Sequence, residues 1–351
     1  MKILEMVDVP WDSGLAHYAL VLSQGLKKKG HHVYVSAVPG EKPWHKAHRL
    51  GLHTVPLVSL KGLKALRRFV REHHIDLLNA HTGSTHSLAV AAALGQKVAV
   101  VRTRSDARTI KRRPGSRFLY NHTQRVIAAA EYIRDSFIQE LKVPSKKVVT
   151  IHQGVSLDDF SAAPFPKYPV LGIVARLDPV KGHRYLIEAM SLLKSAYPTL
   201  RLRIIGQEEN VKVHDLHAIA ERLSVDSQVD FLGYQTNVAK AMSECTIGVI
   251  PSIGSEAVSR VALEWMACGR PVVATKVGCL PELVQERVTG RLVDPRDAPA
   301  LAAALAKLLH DPERIITKGR NALAKVRRHW AMPQFIDKSL EVYQAALGEL
   351  S

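Results

Sequence analysis

The sequence predicts an α/β fold in which two doubly wound parallel-sheet units follow one another along the chain. Three observations carry this. Short apolar, β-compatible runs alternate with amphipathic helical stretches almost throughout. The alternation breaks at a Pro-containing interval, residues 161–168, and then restarts. The length, 351 residues, is enough for two domains with a core each.

The first unit opens with an apolar run, residues 2–9, and a turn at Asp12-Ser13-Gly14. A helix over 15–29 follows, closing on Lys27-Lys28-Lys29-Gly30, a basic last turn with glycine beyond it. Residues 32–37 form the next strand. Helix 63–73 leads into strand 76–79, helix 85–94 into strand 97–101, and strand 126–129 into a helix that ends near Leu141. In the second unit the expected strands are 170–174, 202–205, 229–231, 246–250 and 271–274. Helices over 183–196, 211–223 and 260–267 lie between them. A last helix, 332–350, has no strand after it. These divisions predict one domain from 1–163 plus 335–351 and a second from 164–334.

A composition of 46% hydrophobic and 23% charged residues is that of a globular protein, not a disordered chain. Apolar runs such as 98–101 and 246–250 are strand-sized, far short of the roughly 20 residues that cross a bilayer. The N-terminus reads directly into a strand and lacks the pattern of a secretory signal. Cys245, Cys268 and Cys279 have no metal-ligand spacing and read as reduced thiols, so a cytoplasmic protein is expected. Charge is lopsided. Residues 1–150 hold 25 Lys and Arg against 10 Asp and Glu, whereas 151–351 hold 24 against 22. Such asymmetry points to a surface on the first half that meets something anionic.

In open parallel sheets ligands bind beyond the carboxyl ends of strands. In the second unit Arg176 and Lys181 follow one strand end. A planar fork and a point charge there suit a pyrophosphate. After a later strand come Glu256 and then a helix opening near Ser259. The amides of Val258, Ser259 and Arg260 would face an anion. Glu264 lies further into that helix, and two carboxylates suit two sets of hydroxyls. Gly206 and Tyr234 stand at two more strand ends, where backbone approaches a ligand or base.

The stretch 256–275, EAVSRVALEWMACGRPVVAT, resembles the E-x7-E region of retaining glycosyltransferases of the GT4 (glycosyltransferase group 1) family. The segments 152–160, 172–182 and 278–282 resemble the family's interdomain, Arg/Lys and Pro-Glu motifs. The likeness implies the GT-B fold, two Rossmann-like domains facing across a cleft. It also implies retention of configuration, no catalytic metal, and no cofactor beyond a nucleotide-diphosphate sugar as donor substrate. Arg176 and Lys181 would hold the diphosphate, Glu256 the donor sugar and Glu264 the ribose. Gly14 stands where the family has its Gly-rich first loop, and His81 matches a His-bearing loop. Two departures stand out: Glu256-Ala257-Val258-Ser259 replaces a Gly-Phe-Gly turn, and Ser105 occupies the place of a histidine after Arg102-Thr103-Arg104.

The acceptor implied is a glycan or lipid-linked molecule such as a lipopolysaccharide core or another cell-envelope polysaccharide. Seven cations from Arg102 to Arg117, with Lys64, Arg67, Arg68 and Arg71 on helix 63–73, suit an anionic acceptor or a peripheral position on an anionic membrane. Leu66, Phe69 and Val70 make that helix a candidate interfacial element. Nucleic acid is not expected as a partner, because aromatic residues are too few in the basic segment for stacking. The alternatives are an epimerase or hydrolase on the same fold, or a non-catalytic basic membrane- or nucleic-acid-binding protein.

Overall fold

The computed structural model describes residues 1–56 and 62–350. The chain divides into two compact units, Met1–Gly154 with Met332–Ser351, and Val155–Ala331. The division precedes the Pro-containing interval because Val155 pairs in parallel with Ala331, its amide donating to the Trp330 carbonyl at 2.9 Å.

The first unit is a seven-stranded parallel sheet in the order β3-β2-β1-β4-β5-β6-β7. Its strands are β1 (Lys2–Met6), β2 (His32–Ser36), β3 (His53–Val55), β4 (Leu77–Ala80), β5 (Ala99–Arg104), β6 (Arg125–Ala128) and β7 (Val148–Thr150). Its helices are α1 (Gly14–Lys28), α2 (Lys42–Arg49), α3 (Leu63–Glu72), α4 (Gly83–Ala93), α5 (Ser116–Asn121) and α6 (Glu131–Gln139). Local chemistry starts these helices: Ser13 Oγ accepts the Ala16 amide at 3.2 Å before α1, and Thr82 and Thr85 form a reciprocal cap at α4. The central strand β4 is buried at every position, as a sheet covered on both faces requires.

Two expectations about the basic segments change. In α3, Leu66 and Val70 are buried in the core and Phe69 packs edge-on against Tyr34. Its apolar face is therefore spent inside the protein, and Arg67 is tied to the carbonyls of Ala91 and Leu94. Lys64, Arg68 and Arg71 are among its residues that meet solvent. Likewise β5 runs on to Arg104 instead of ending at Val101. Arg102 thus lies within a strand, 3% exposed, donating to the Ala80 carbonyl at 2.8 Å.

The second unit is a six-stranded parallel sheet in the order β10-β9-β8-β11-β12-β13. Its strands are β8 (Val170–Val174), β9 (Arg201–Ile205), β10 (Val229–Gly233), β11 (Ile247–Ile250), β12 (Val272–Thr275) and β13 (Gly290–Val293). Its helices are α7 (His183–Leu193), α8 (Val213–Arg222), α9 (Val238–Ser243), α10 (Arg260–Ala267), α11 (Leu280–Leu283), α12 (Ala298–Leu309) and α13 (Pro312–His329). One packing feature fixes α10 over the middle of this sheet. Trp265, fully buried, fills a slot above Gly172 of β8 and Gly248 of β11. A Cβ at those glycines would meet the indole at 2.5 and 2.4 Å. The last helix, α14 (Met332–Gly348), belongs to the first unit and packs on α1, β5 and β6.

Candidate active site

Strand order in the second unit reverses direction between β8 and β11, which are neighbours. A crevice at the carboxyl ends of such a pair is where open parallel sheets bind ligands. Both loops that border it carry residues singled out in the sequence.

The loop after β8 is shaped by Asp178. Its carboxylate accepts the Val180 amide at 2.9 Å and the Asn210 side-chain amide at 2.7 Å, starting a short 3-10 turn over Pro179–Lys181. Arg176 lies 3.4 Å from the same carboxylate and is half exposed. Burial opposes ionisation of Asp178, but the two amides and the charges of Arg176 and Lys181 together hold its pKa below the ordinary value. Gly182 then turns with φ 73°, its α-carbon so close to the β11 loop that a Cβ would stand 2.0 Å from the Pro251 carbonyl oxygen.

This contact joins the two loops, and the side chains meet across it. Lys181 Nζ lies 2.6 Å from Glu256 Oε1, and Ser252 Oγ donates to the same oxygen at 2.7 Å. The Glu256 side chain is 3% exposed and that of Lys181 20%. Both bonds go to Oε1; no bond to Oε2 is formed among the described residues. The turn after β12 clamps the backbone of Glu256. The Cys279 amide donates to its carbonyl at 2.8 Å, and Gly278, with φ 55°, passes so near that a Cβ would lie 2.0 Å from that oxygen.

Ser259 precedes α10 as foreseen, but it does not cap the helix through its side chain. Its amide is occupied, donating to Cys279 Sγ at 3.2 Å, and its buried Oγ has no hydrogen-bond partner. An anion at this helix start would therefore meet the amides of Val258 and Arg260 and the Ser259 hydroxyl, not three amides. One turn further, Glu264 pairs with Arg260 Nε at 2.8 Å. Burial raises the Glu264 pKa and outweighs the opposing charge and hydrogen bond of Arg260. His183, at the start of α7, is held neutral: burial, with the Lys181 charge behind it, lowers its pKa to about 4.

Arg176, Lys181, Glu256, Ser259, Arg260 and Glu264 thus stand on two loops and one helix of a single crevice. Gly206 is required by the protein's own packing as well: a Cβ there would lie 1.8 Å from the Ala175 carbonyl oxygen, so its backbone lies against the loop after β8. Tyr234 is 71% exposed beyond β10, the edge strand, with β9 between it and β8. Asp178, Asn210, Ser252 and Cys279 were not anticipated. Only Asp178 had a readable signal, an Asp-Pro pair opening a turn.

In the first unit the winding reverses between β1 and β4, and Gly14 and His81 follow those strands. Gly14 opens α1 with open space around it. His81 is completely buried. Its Nε2 lies 2.6 Å from Glu5 Oε2, inside a network in which Asn79 bonds Glu5 and Tyr343 of α14 donates to Glu5 Oε1 at 2.7 Å. Its Nδ1 has no partner. That geometry makes His81 an organiser of the loop after β4. Ser105, in the place of the family's histidine, is buried with its hydroxyl unpartnered. Among the described residues no three His, Cys, Asp or Glu side chains gather closely enough to hold a metal ion.

Two Rossmann-like parallel-sheet units of this kind define the GT-B class of fold. A glycosyltransferase from Rickettsia africae superposes with a TM-score of 0.88 at 19% identity, over 99% of this chain and 98% of that one. Anabaena HepE, in complex with UDP, does so with a TM-score of 0.88 at 20% identity, over 98% and 100%. Sequence comparison is more specific. The family "Glycosyl transferases group 1" matches residues 156–328, and "Glycosyltransferase Family 4" matches 13–159. The chain belongs to this GT4, group 1 family of glycosyltransferases. A D-inositol 3-phosphate glycosyltransferase of Segniliparus rotundus is 32% identical over 68% of this chain and 56% of its own length. The chain spans about half the length of the first curated relatives it matches.

Proposed function

We propose that the protein transfers a sugar from a nucleotide-diphosphate donor, held by the second unit, to a hydroxyl of a glycan or lipid-linked acceptor. The observation that carries this is the Lys181–Glu256 pair beside Arg176 at the β8/β11 crevice. Arg176, Lys181 and the start of α10 bind the diphosphate and stabilise charge as it leaves. Glu256, its Oε1 engaged by Lys181 and Ser252, offers Oε2 to donor-sugar hydroxyls. Glu264 accepts from the ribose. That HepE carries UDP in the same fold supports a nucleotide donor. The exposed cations of α3 and of the segment after β5 offer an anionic membrane surface an electrostatic contact, and no helix among the described residues is long and apolar enough to span a bilayer.

Transfer proceeds with retention and without a metal ion. The acceptor hydroxyl approaches the anomeric carbon on the face from which the diphosphate departs. The new C–O bond forms as the C–O bond to phosphate breaks, through an oxocarbenium-like transition state. The acceptor proton passes to the leaving phosphate oxygen. The test is product analysis with UDP- and GDP-sugars in EDTA, reading the anomeric configuration by proton NMR. A product with the donor's configuration, formed at an undiminished rate, is expected. An inverted product or loss of activity in EDTA contradicts the mechanism, and an epimerised or freed sugar without transfer contradicts the function.

A further inference from the structure

In the second unit a cavity of about 470 Å³ opens at the amino ends of β8 and β9, the edge of the sheet opposite the β8/β11 crevice. Three pieces of chain line it: the Pro-containing interval, the first residues of those two strands, and the end of α9. One buried side chain ties two of these together. Arg270 is fully buried, and its Nη2 donates to the Pro164 carbonyl at 2.9 Å and to the Ser243 carbonyl at 2.6 Å. Its guanidinium also lies over the Phe165 ring, 4.3 Å from the centroid. That ring sits against Gly319 of α13, where a Cβ would stand 3.3 Å from Phe165 Cζ. The interval is thereby fixed, so the cavity is formed before any ligand arrives.

The lining has an apolar part and a charged part. Pro164, Pro166, Val170 and the half-exposed ring of Tyr168 offer flat apolar surface. Arg201 and Arg203, two residues apart on β9, are paired with Asp230 and Glu244. Lys167, its ammonium 5.4 Å from the Tyr168 ring centroid, has no carboxylate partner among the described residues, and neither has Arg270. Two uncompensated cations, one of them inside the low-dielectric wall, favour an anion in the cavity.

We infer that this cavity is a second ligand site, for a nucleoside monophosphate. The base lies against Tyr168 and the prolines, where a planar ring finds flat apolar contact. The Arg203–Glu244 pair presents a donor beside an acceptor, the pattern that a base edge matches. Lys167 takes the phosphate. The ligand is an effector and not a substrate, because the reacting crevice lies at the other end of the same strands and shares no residue with this cavity.

The experiment uses the full-length Arg176→Ala variant, so that binding at the donor crevice is weakened. AMP, GMP, CMP and UMP, and the four matching nucleosides, are titrated into it by calorimetry. At least one monophosphate should bind with one-to-one stoichiometry, and its nucleoside at least tenfold more weakly. Adding Lys167→Ala should bring the affinity for that monophosphate down to the level of its nucleoside. Adding Tyr168→Ala should weaken it at least tenfold. Both side chains are exposed, so neither substitution should move the melting temperature. Leu192→Ala, on the exposed face of α7, should bind as its parent does. No binding by any monophosphate, equal binding of the nucleoside, unaltered affinity in either cavity variant, or an equal loss in Leu192→Ala would overturn the inference. UDP titrated into the wild type reports on the donor crevice separately, so its failure to bind counts against that assignment alone.

Discussion

At the scale of single residues, the crevice holds charge in two opposite ways. Glu256 is a buried carboxylate stabilised by a direct cation and a hydroxyl, so removing the cation is costly. Lys181→Met should lower the unfolding free energy of the unliganded protein by about 2 kcal/mol, less than for a fully buried pair because Lys181 is 20% exposed. Urea denaturation measures this. Glu264 behaves in the reverse sense, since burial raises its pKa. The folded state then binds that proton more tightly than the unfolded state. Its stabilising effect is full below the ordinary carboxylate range and is lost as pH rises through the raised value. Glu264→Gln should therefore melt higher than the wild type at pH 7.5, with the gap closing as pH falls into the carboxylate range. Nucleotide affinity should drop in the same variant. A variant that melts lower at pH 7.5 would contradict the assignment.

At the scale of elements, the crevice depends on how closely three turns pack. Gly278 fixes the Glu256 backbone from the β12 side, in a conformation that costs an L-residue about 1–2 kcal/mol even without a clash. Gly278→Ala should destabilise by about 2 kcal/mol or more and reduce turnover more than Ala substitution at an exposed turn elsewhere, as thermal melting and initial rates would reveal. Which elements were legible follows from the same packing. β8 and α10 were read with their true limits because each is an apolar run bounded by turn or capping residues. β13, with half-exposed Arg291 and Leu292, lacks that contrast, and α12 is apolar almost all round, so neither offers a clean period. Arg176, Lys181 and Glu256 were legible as a set because strand ends and charge type sufficed to pick them. Ser252 was not, since a serine four residues before a glutamate in a loop carries no signal by itself, and Cys279 was not, since its partners lie on another loop. The basic run after β5 hid two kinds of arginine, and only the extension of that strand to Arg104 separates buried Arg102 from exposed Arg108.

At the scale of the whole molecule, the chain leaves its first unit at Gly154 and returns to it with α14. The return is secured near the carboxyl ends of β1 and β4. Tyr343 donates to Glu5 and receives the Asn79 amide at 2.6 Å, and Gly25 of α1 admits the Ile336 side chain. Removing the Tyr343 hydroxyl leaves a buried carboxylate oxygen short of a donor. Tyr343→Phe should therefore cost about 2 kcal/mol. Because Tyr343 belongs to the first unit, UDP affinity should be unaffected, and a parallel loss of nucleotide binding in titration would contradict the division of labour.

The central claim is that the second unit holds a nucleotide diphosphate between Arg176, Lys181 and the start of α10, and titration calorimetry tests it most directly. UDP, GDP, ADP and CMP are titrated into wild type, Arg176→Ala and Lys181→Ala. One diphosphate should bind to the wild type, with affinity reduced at least tenfold in each variant and fold preserved by circular dichroism. Equal affinity in all three proteins, or no binding by any nucleotide to the wild type, would contradict the account.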